Sequence, residues 1–189
     1  MHAKQQIRKT LLKKRHQLTP IQQKKAAIVI TKKLSQKLFF KKSQHIAFYL
    51  SVKNEVSPKS LMQQAWRMKK KCYLPVLHPL KHNRLWFIEY RPGDKLEKNC
   101  YGILQPKINL AKKIPAWALN LVIVPLVGFD QNGNRLGSGK GYYDRTFYFL
   151  KNKKSSQPYL VGIAYELQKI SDLAVEPWDI PLRMVITEL

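Results

Sequence analysis

Residues 119–124, Leu-Asn-Leu-Val-Ile-Val, are the most β-prone run in the chain. A run apolar on both faces belongs at the centre of a parallel sheet, and parallel neighbours need crossover connections that are usually helical. The chain supplies both kinds of element. Short apolar runs at 45–50, 71–74, 159–164 and 184–187 predict further strands, and 85–90 predicts one antiparallel to its neighbours. Pro75 is expected to end the second of these. Helical spacing marks 3–18, with Ile7, Leu11 and Leu12 apolar, and 21–39, with Ala26, Ala27, Ile30, Leu34 and Leu38 as the buried stripe. Thr19-Pro20-Ile21-Gln22 reads as an N-cap followed by proline at the first helical position. Ser57-Pro58 starts a helix expected to reach Lys70, and 141–150 is expected to be helical. Pro92-Gly93 and Tyr101-Gly102 mark loops. Helices alternating with apolar strands imply an α/β sheet covered on both faces. With 189 residues, one domain over 1–189 is expected.

Composition narrows the class of function. Thirty-five Lys and Arg against eleven Asp and Glu give a net charge of +24, which draws anionic partners. The lysines are scattered (Lys13–Lys14, Lys32–Lys33, Lys69–Lys71) and not interleaved with aromatics, so the reading is a solvated basic surface and no specific nucleic acid is expected. A steep salt dependence of DNA or RNA binding would favour the alternative, a nucleic-acid module. No apolar run approaches the roughly 18–20 residues of a membrane span, and the opening residues lack the apolar centre of a secretory signal, so a cytoplasmic protein is expected. Cys72 and Cys100 match no zinc spacing and are expected to be free.

The chemistry concentrates after the central strand, in Arg135-Leu136-Gly137-Ser138-Gly139-Lys140-Gly141-Tyr142-Tyr143-Asp144-Arg145. Open α/β sheets bind ligands at such a position. Alternating Gly137, Gly139 and Gly141 allow positive φ and let backbone N–H groups approach anionic oxygens. A helix start near Gly141 adds its partial positive end, while Arg135, Lys140 and Arg145 supply full charges. Asp144 suits a magnesium ion held against phosphates. The spacing is neither the Rossmann fingerprint nor the Walker motif. On the residues alone, a kinase or phosphatase for another small molecule would use the same equipment.

This segment resembles the signature of the 5-formyltetrahydrofolate cyclo-ligase family, also called 5,10-methenyltetrahydrofolate synthetases. Lys4-Gln-Gln-Ile-Arg8 is similar to that family's basic N-terminal helix, in which a lysine and an arginine one turn apart contact ATP; without the family both are surface charges. Leu50-Ser-Val-Lys-Asn-Glu55 resembles the segment where a leucine and a glutamate meet folate. Pro92-Gly-Asp94, 101–106, 161–165, Gln168 and Glu176-Pro-Trp-Asp-Ile-Pro181 match its middle and C-terminal parts. Asp179 falls where the family places a second magnesium-linked carboxylate; as a bare residue it is equally a turn residue beside prolines. The chain departs from the pattern at Gln105, Asn120 and Arg183, where relatives are often acidic.

The resemblance implies a three-layer α/β/α domain with a mostly parallel central sheet; the chain is expected to be a monomer. The implied reaction closes 5-formyltetrahydrofolate to 5,10-methenyltetrahydrofolate, with ATP as co-substrate and Mg²⁺ as cofactor. ATP phosphorylates the formyl oxygen, N10 attacks the formyl carbon, and phosphate departs. Lys140 and Arg145 are then the catalytic cations. Lys4, Arg8 and the whole segment Arg135 to Tyr143 take ATP. Leu50, Glu55 and Ser138 to Tyr142 meet the folate, and Asp144 with Asp179 takes the metal. Tyr142 and Tyr143 either border the pterin or pack as core residues at a helix start.

Overall fold

The computed structural model describes residues 2–81, 83–151 and 157–189. Its strands are β1 (His45–Ala47), β2 (Lys71–Leu77), β3 (Leu85–Glu89), β4 (Leu96–Lys98), β5 (Leu104–Pro106), β6 (Lys113–Ile114), β7 (Leu121–Val124), β8 (Gly128–Phe129), β9 (Arg135–Leu136), β10 (Tyr159–Ile163) and β11 (Met184–Ile186). Its helices are α1 (His2–His16), α2 (Pro20–Ser35), α3 (Leu38–Lys42), α4 (Lys59–Arg67) and α5 (Tyr142–Thr146). The main sheet runs β11-β10-β7-β1-β2-β3-β6. From β11 to β2 all pairs are parallel, and β3 is antiparallel to both β2 and β6. The mostly parallel α/β sheet is therefore as expected, including the reversed direction of β3.

The two-residue period of the strands sorts the core into two layers. Ile46, Leu74, Leu121, Ile123 and Val161 pack with Ala26, Ile30 and Leu34 of α2 and with Leu61 and Ala65 of α4. Ala47, Tyr73, Val122, Val124 and Leu160 face the other way, against Phe147, Ile180 and Leu182. Every residue of β7 is 1% exposed or less, the burial that its unbroken apolar run demands. The second face is thinly covered, by α5, a 3-10 turn over Tyr148–Lys151 and irregular chain.

Several boundaries differ from expectation for visible reasons. The helix expected over 21–39 stops at Ser35, because Lys37 is extended; the chain re-enters a helix at Leu38 so that Phe40 is fully buried and Leu38 is left 64% exposed. The run 45–50 is strand only to Ala47, the Phe48 N–H making a last bond to the Tyr73 carbonyl before the backbone leaves for a turn, and 119–124 is strand only from Leu121. Asn120 is diverted to cap the start of β1, its Oδ1 accepting from the N–H groups of Gln44 and His45. Ser57-Pro58 does precede a helix, which ends at Arg67 and not at Lys70.

Pro75 does not stop β2. The N–H of Tyr90 donates to the Cys72 carbonyl and that of His78 to the Arg84 carbonyl, so the bonded pairs with β3 fall on even positions of β2. Pro75 lies at an unbonded pair opposite Phe87, and its missing donor faces the side where β1 has already ended. Leu77, facing the same way, donates to Gln105 Oε1 at 3.3 Å. The helix expected over 141–150 shrinks to α5 because Phe147 turns inward, wholly buried among Phe87, Tyr143 and Phe149. The region around Pro92-Gly93 and Tyr101-Gly102 also carries an unexpected hairpin, β4–β5. Cys72 is buried and Cys100 exposed, and both are free. No helix among the described residues is long and apolar enough to cross a membrane.

Candidate functional site

The strand order reverses between β1 and β7: from β1 the chain moves outward to β2, whereas β7, β10 and β11 build outward on the other side. Loops leaving the C-terminal ends of two such strands diverge to opposite faces and leave a crevice between them. A cleft of about 120 Å³ occupies this place. Glu55, beyond β1, and Pro125 to Val127, beyond β7, form one part of it; Arg135, Gly137, Ser138 and Gly141 to Asp144 form the rest. A wider groove along Leu150, Tyr159 and Arg183 includes none of Glu55, Lys140 and Asp144.

The glycine-rich loop leaves the β8–β9 hairpin and enters α5. Leu136 is 2% exposed, and its carbonyl accepts from Val127, so it anchors the start of the loop in the core. Gly139 has φ +100° and Gly141 φ +65°, and a Cβ at Gly141 would lie 2.7 Å from Arg145 Nη1. Arg145 Nη1 donates to the Lys140 carbonyl at 2.7 Å, bridging the loop and α5. Gly137 has open space where a side chain would be, and its carbonyl accepts from Arg8 Nε at 2.8 Å. Because α5 spans only five residues and Gly141 offers no capping side chain, the helix end contributes less positive potential than a long helix would. The side-chain cations carry more of the charge.

Both candidate metal carboxylates are held beside Ile180. Asp144 Oδ1 accepts from Arg135 Nη2 at 2.5 Å and from the Ile180 N–H at 3.2 Å. The Arg135 side chain is 5% exposed and also donates to the Ile180 carbonyl. Asp179 Oδ2 accepts from the Glu176 N–H at 2.9 Å and lies 3.6 Å from Lys4 Nζ, which also pairs with Glu176 at 3.5 Å. Among the described residues no group of three or more His, Cys, Asp or Glu side chains could hold a metal alone. Carboxylate oxygens fit a magnesium ion whose remaining ligands are phosphate and water, and do not form a cage for a bare ion.

Glu55, which lines the same cleft, closes its own turn: its Oε2 accepts from the Val52 N–H, and its N–H donates to the Val52 carbonyl, both at 3.0 Å. Burial raises the Glu55 carboxyl above the usual range, opposed by that hydrogen bond and by the charges of Arg15 and Lys53. Leu50 is half-buried against the layer of α2 and α4 and does not line the cleft. The two tyrosines divide. Both line the cleft, but Tyr143 also stacks on Phe147 and packs against the second core layer, with burial pushing its phenol well up. Tyr142 lines the cleft and pairs its hydroxyl with that of Tyr101 at 3.0 Å; burial first, and then this pair, push it up to about 12.

Tyr101, at the tip of the β4–β5 hairpin, was given no role by the sequence. Its ring lies 3.5 Å below Lys140 Nζ, a cation–π contact that holds the ammonium beside the loop. The Tyr142 hydroxyl and the Lys140 ammonium draw the Tyr101 phenol below its ordinary value. The available signal was an exposed aromatic within a Tyr-Gly turn, which identifies no partner forty residues away. In this arrangement α1, β9, α5 and the 176–180 segment bring together Lys4, Arg8, Arg135, Asp144 and Asp179, of which Arg135 and Asp144 line the cleft along with Glu55.

A model of the 5-formyltetrahydrofolate cyclo-ligase family matches residues 1–188. The chain is 40% identical over 179 residues to a Haemophilus influenzae protein named 5-formyltetrahydrofolate cyclo-ligase, covering 95% of this chain and 94% of that one. It is 42% identical over 142 residues to the Escherichia coli K12 protein of the same name, covering 75% and 76%. The fold is similar to the solution structure of the Aquifex aeolicus 5,10-methenyltetrahydrofolate synthetase, with a TM-score of 0.81, 30% identity, and 98% and 89% of the two chains covered. The corresponding Mycoplasma pneumoniae synthetase matches with a TM-score of 0.76 at 27% identity, over 98% and 99% of the chains.

Proposed function

The chain belongs to the 5-formyltetrahydrofolate cyclo-ligase family and is a ligase of that family, and we propose that residues 1–189 act as one domain that closes 5-formyltetrahydrofolate to 5,10-methenyltetrahydrofolate at the expense of ATP. One observation carries the reading to this chain's own residues. The crevice at the strand reversal is lined by the glycine-rich loop, Arg135, Asp144 and the desolvated Glu55 carboxyl, with Arg8 bonded to the loop at Gly137 and Lys4 paired with Asp179.

An amide oxygen is a poor leaving group, and the reaction replaces it with a better one. The formyl oxygen on N5 attacks the γ-phosphorus, and ADP leaves with the bond it carried. N10 then bonds to the formyl carbon, the carbon–oxygen bond breaks, phosphate departs and the N10 proton is lost. Phosphoryl transfer asks a protein chiefly for positioning and charge neutralisation. Lys4, Arg8, Lys140 and Arg145 supply the charge to ATP, with Arg135 holding Asp144 at the same end. Backbone N–H groups from Gly137 to Gly141 approach the phosphates where side chains would obstruct them. Asp144 and Asp179 would hold Mg²⁺, which when bound neutralises phosphate charge. Glu55 and Tyr142 orient the folate, and Leu50, at the start of the same segment, meets it as the resemblance implies.

The test is direct. Incubation with 5-formyltetrahydrofolate and Mg-ATP is expected to produce the methenyl chromophore, with almost no ATP hydrolysis when folate is omitted. ATP turnover without the chromophore rules the reading out in favour of another phosphoryl-transfer enzyme.

A further inference from the structure

α1 meets the site along one stripe. Lys4, Arg8, Leu11 and Arg15 follow the i, i+4, i+7, i+11 spacing that keeps side chains on one face. Lys4 reaches the carboxylates of Glu176 and Asp179, and Arg8 reaches the Gly137 carbonyl. Leu11 is buried against Gly128, where a Cβ would stand 2.6 Å from Leu11 Cδ1. Arg15 ends the stripe and is 2% exposed. Its Nε donates to the Lys53 carbonyl at 3.1 Å and its Nη1 to the Leu126 carbonyl at 3.4 Å. Among the described residues it takes part in no ion pair.

A buried guanidinium met by neutral carbonyls is unfavourable unless it makes its hydrogen bonds in a fixed geometry. What this one fixes is unusual. Lys53 and Asn54 both have positive φ, 48° and 60°, a backbone region that non-glycine residues rarely occupy and that persists only when the surroundings hold it. The strained pair leads straight into Glu55. Leu126, the second acceptor, lines the cleft between Glu55 and the glycine loop, and Gln168 Nε2 secures the same carbonyl at 3.0 Å. One side chain therefore ties the Glu55 turn to the 125–127 segment, whose Val127 N–H donates to the Leu136 carbonyl at the start of the glycine loop, and it does so at the end of a helix whose other end carries the proposed nucleotide cations.

We propose that Arg15 is a positioning residue that, through the carbonyls of Lys53 and Leu126, holds the Glu55 turn in register with the glycine-rich loop and couples nucleotide binding at Lys4 and Arg8 to folate binding at Glu55. The inference rests on the cyclo-ligase reading. It does not follow from it, since the same reaction can run with the two half-sites held independently.

The experiment separates the two claims. Absence of methenyl product with the unaltered protein removes the cyclo-ligase reading itself. Given product, Arg15→Lys keeps the charge but cannot present planar donors to two carbonyls. It is expected to raise the KM for 5-formyltetrahydrofolate roughly tenfold while kcat changes less than about twofold. In a Glu55→Gln background the same substitution should have a much smaller effect, because coupled residues are not additive. An unchanged folate KM, or full additivity with Glu55→Gln, overturns the proposal. Should Arg15→Lys fail to fold, the unaltered protein still decides: Mg-ADP alone is expected to slow hydrogen exchange at Val52 and Glu55, and unaltered exchange there overturns it.

Discussion

α1 and α2 are adjacent helices of nearly equal length, 15 and 16 residues, held by different forces. The inner stripe of α2, Ala26, Ile30 and Leu34, is buried in the first core layer, and a capping box with proline in the first turn fixes its start. In α1 the stripe that faces the protein is Lys4, Arg8, Leu11 and Arg15, and three of its four members attach to a carbonyl or carboxylate of the candidate site. Burial is indifferent to what the cleft contains. Hydrogen bonds to a loop last only while the loop keeps its conformation. The location of α2 is thus a property of the core, and that of α1 a property of the site, so damage to the first should read out as stability and damage to the second as activity.

The largest effect should come from α5, into which the loop that receives α1 leads. Asp144→Ala leaves the Arg135 guanidinium buried and unpaired, which costs about 3–5 kcal/mol of folding free energy. It also removes a proposed metal ligand, so both the urea midpoint and turnover should fall; a midpoint within error of the parent would show that solvent already screens this pair. Next comes Arg8→Ala, at the centre of the α1 stripe. Loss of a charge aimed at transferring phosphate costs on the order of 10²–10³ in kcat/KM for ATP. Little melting temperature should be lost, and a large drop in thermal stability would erase the contrast between the helices.

Leu34→Ala probes the other side of the comparison. The residue is 0% exposed, and truncation there should cost about 3 kcal/mol by transfer and cavity formation. Below the melting transition, KM for both substrates should stay within about twofold of the parent. Steady-state kinetics alongside denaturant melts distinguish this from an effect on the cleft.

The sequence reveals elements where one physical signal dominates, and loses them where a distant partner decides. β7 was readable because its run is short, rich in β-branched residues and apolar on both faces, as a strand covered on both sides requires, and the Thr19-Pro20 start of α2 because capping is local. Pro75 misled because the hydrogen-bond phase of a strand depends on a partner chosen by the fold. Phe147 ended α5 early because it found an aromatic pocket formed by β3. Within the site, Gly139 and Gly141 carry the backbone conformation that their spacing suggested, whereas Gly137 does not need it. The Lys140–Tyr101 contact and the reach of Arg15 to Lys53 join segments about forty residues apart, and no local pattern encodes either.

The smallest predicted effect is also the sharpest test. Thr19 stands at the joint between the helices, exposed; the Gln22 N–H donates to its hydroxyl at 3.3 Å, and its own N–H donates to Gln22 Oε1 at 2.9 Å. Thr19→Ala removes half of that reciprocal pair and should cost about 1 kcal/mol, a fall in Tm of about 2–4 °C for a chain of this size. The cap serves α2 alone, and the Arg15 contacts lie on the other side of the joint, so KM for ATP and folate should stay unchanged at temperatures well below the transition. A rise in folate KM from this substitution would mean that fraying α2 reaches Arg15 through the joint. The two helices would then share one support, and the division of labour argued from their buried faces would fail.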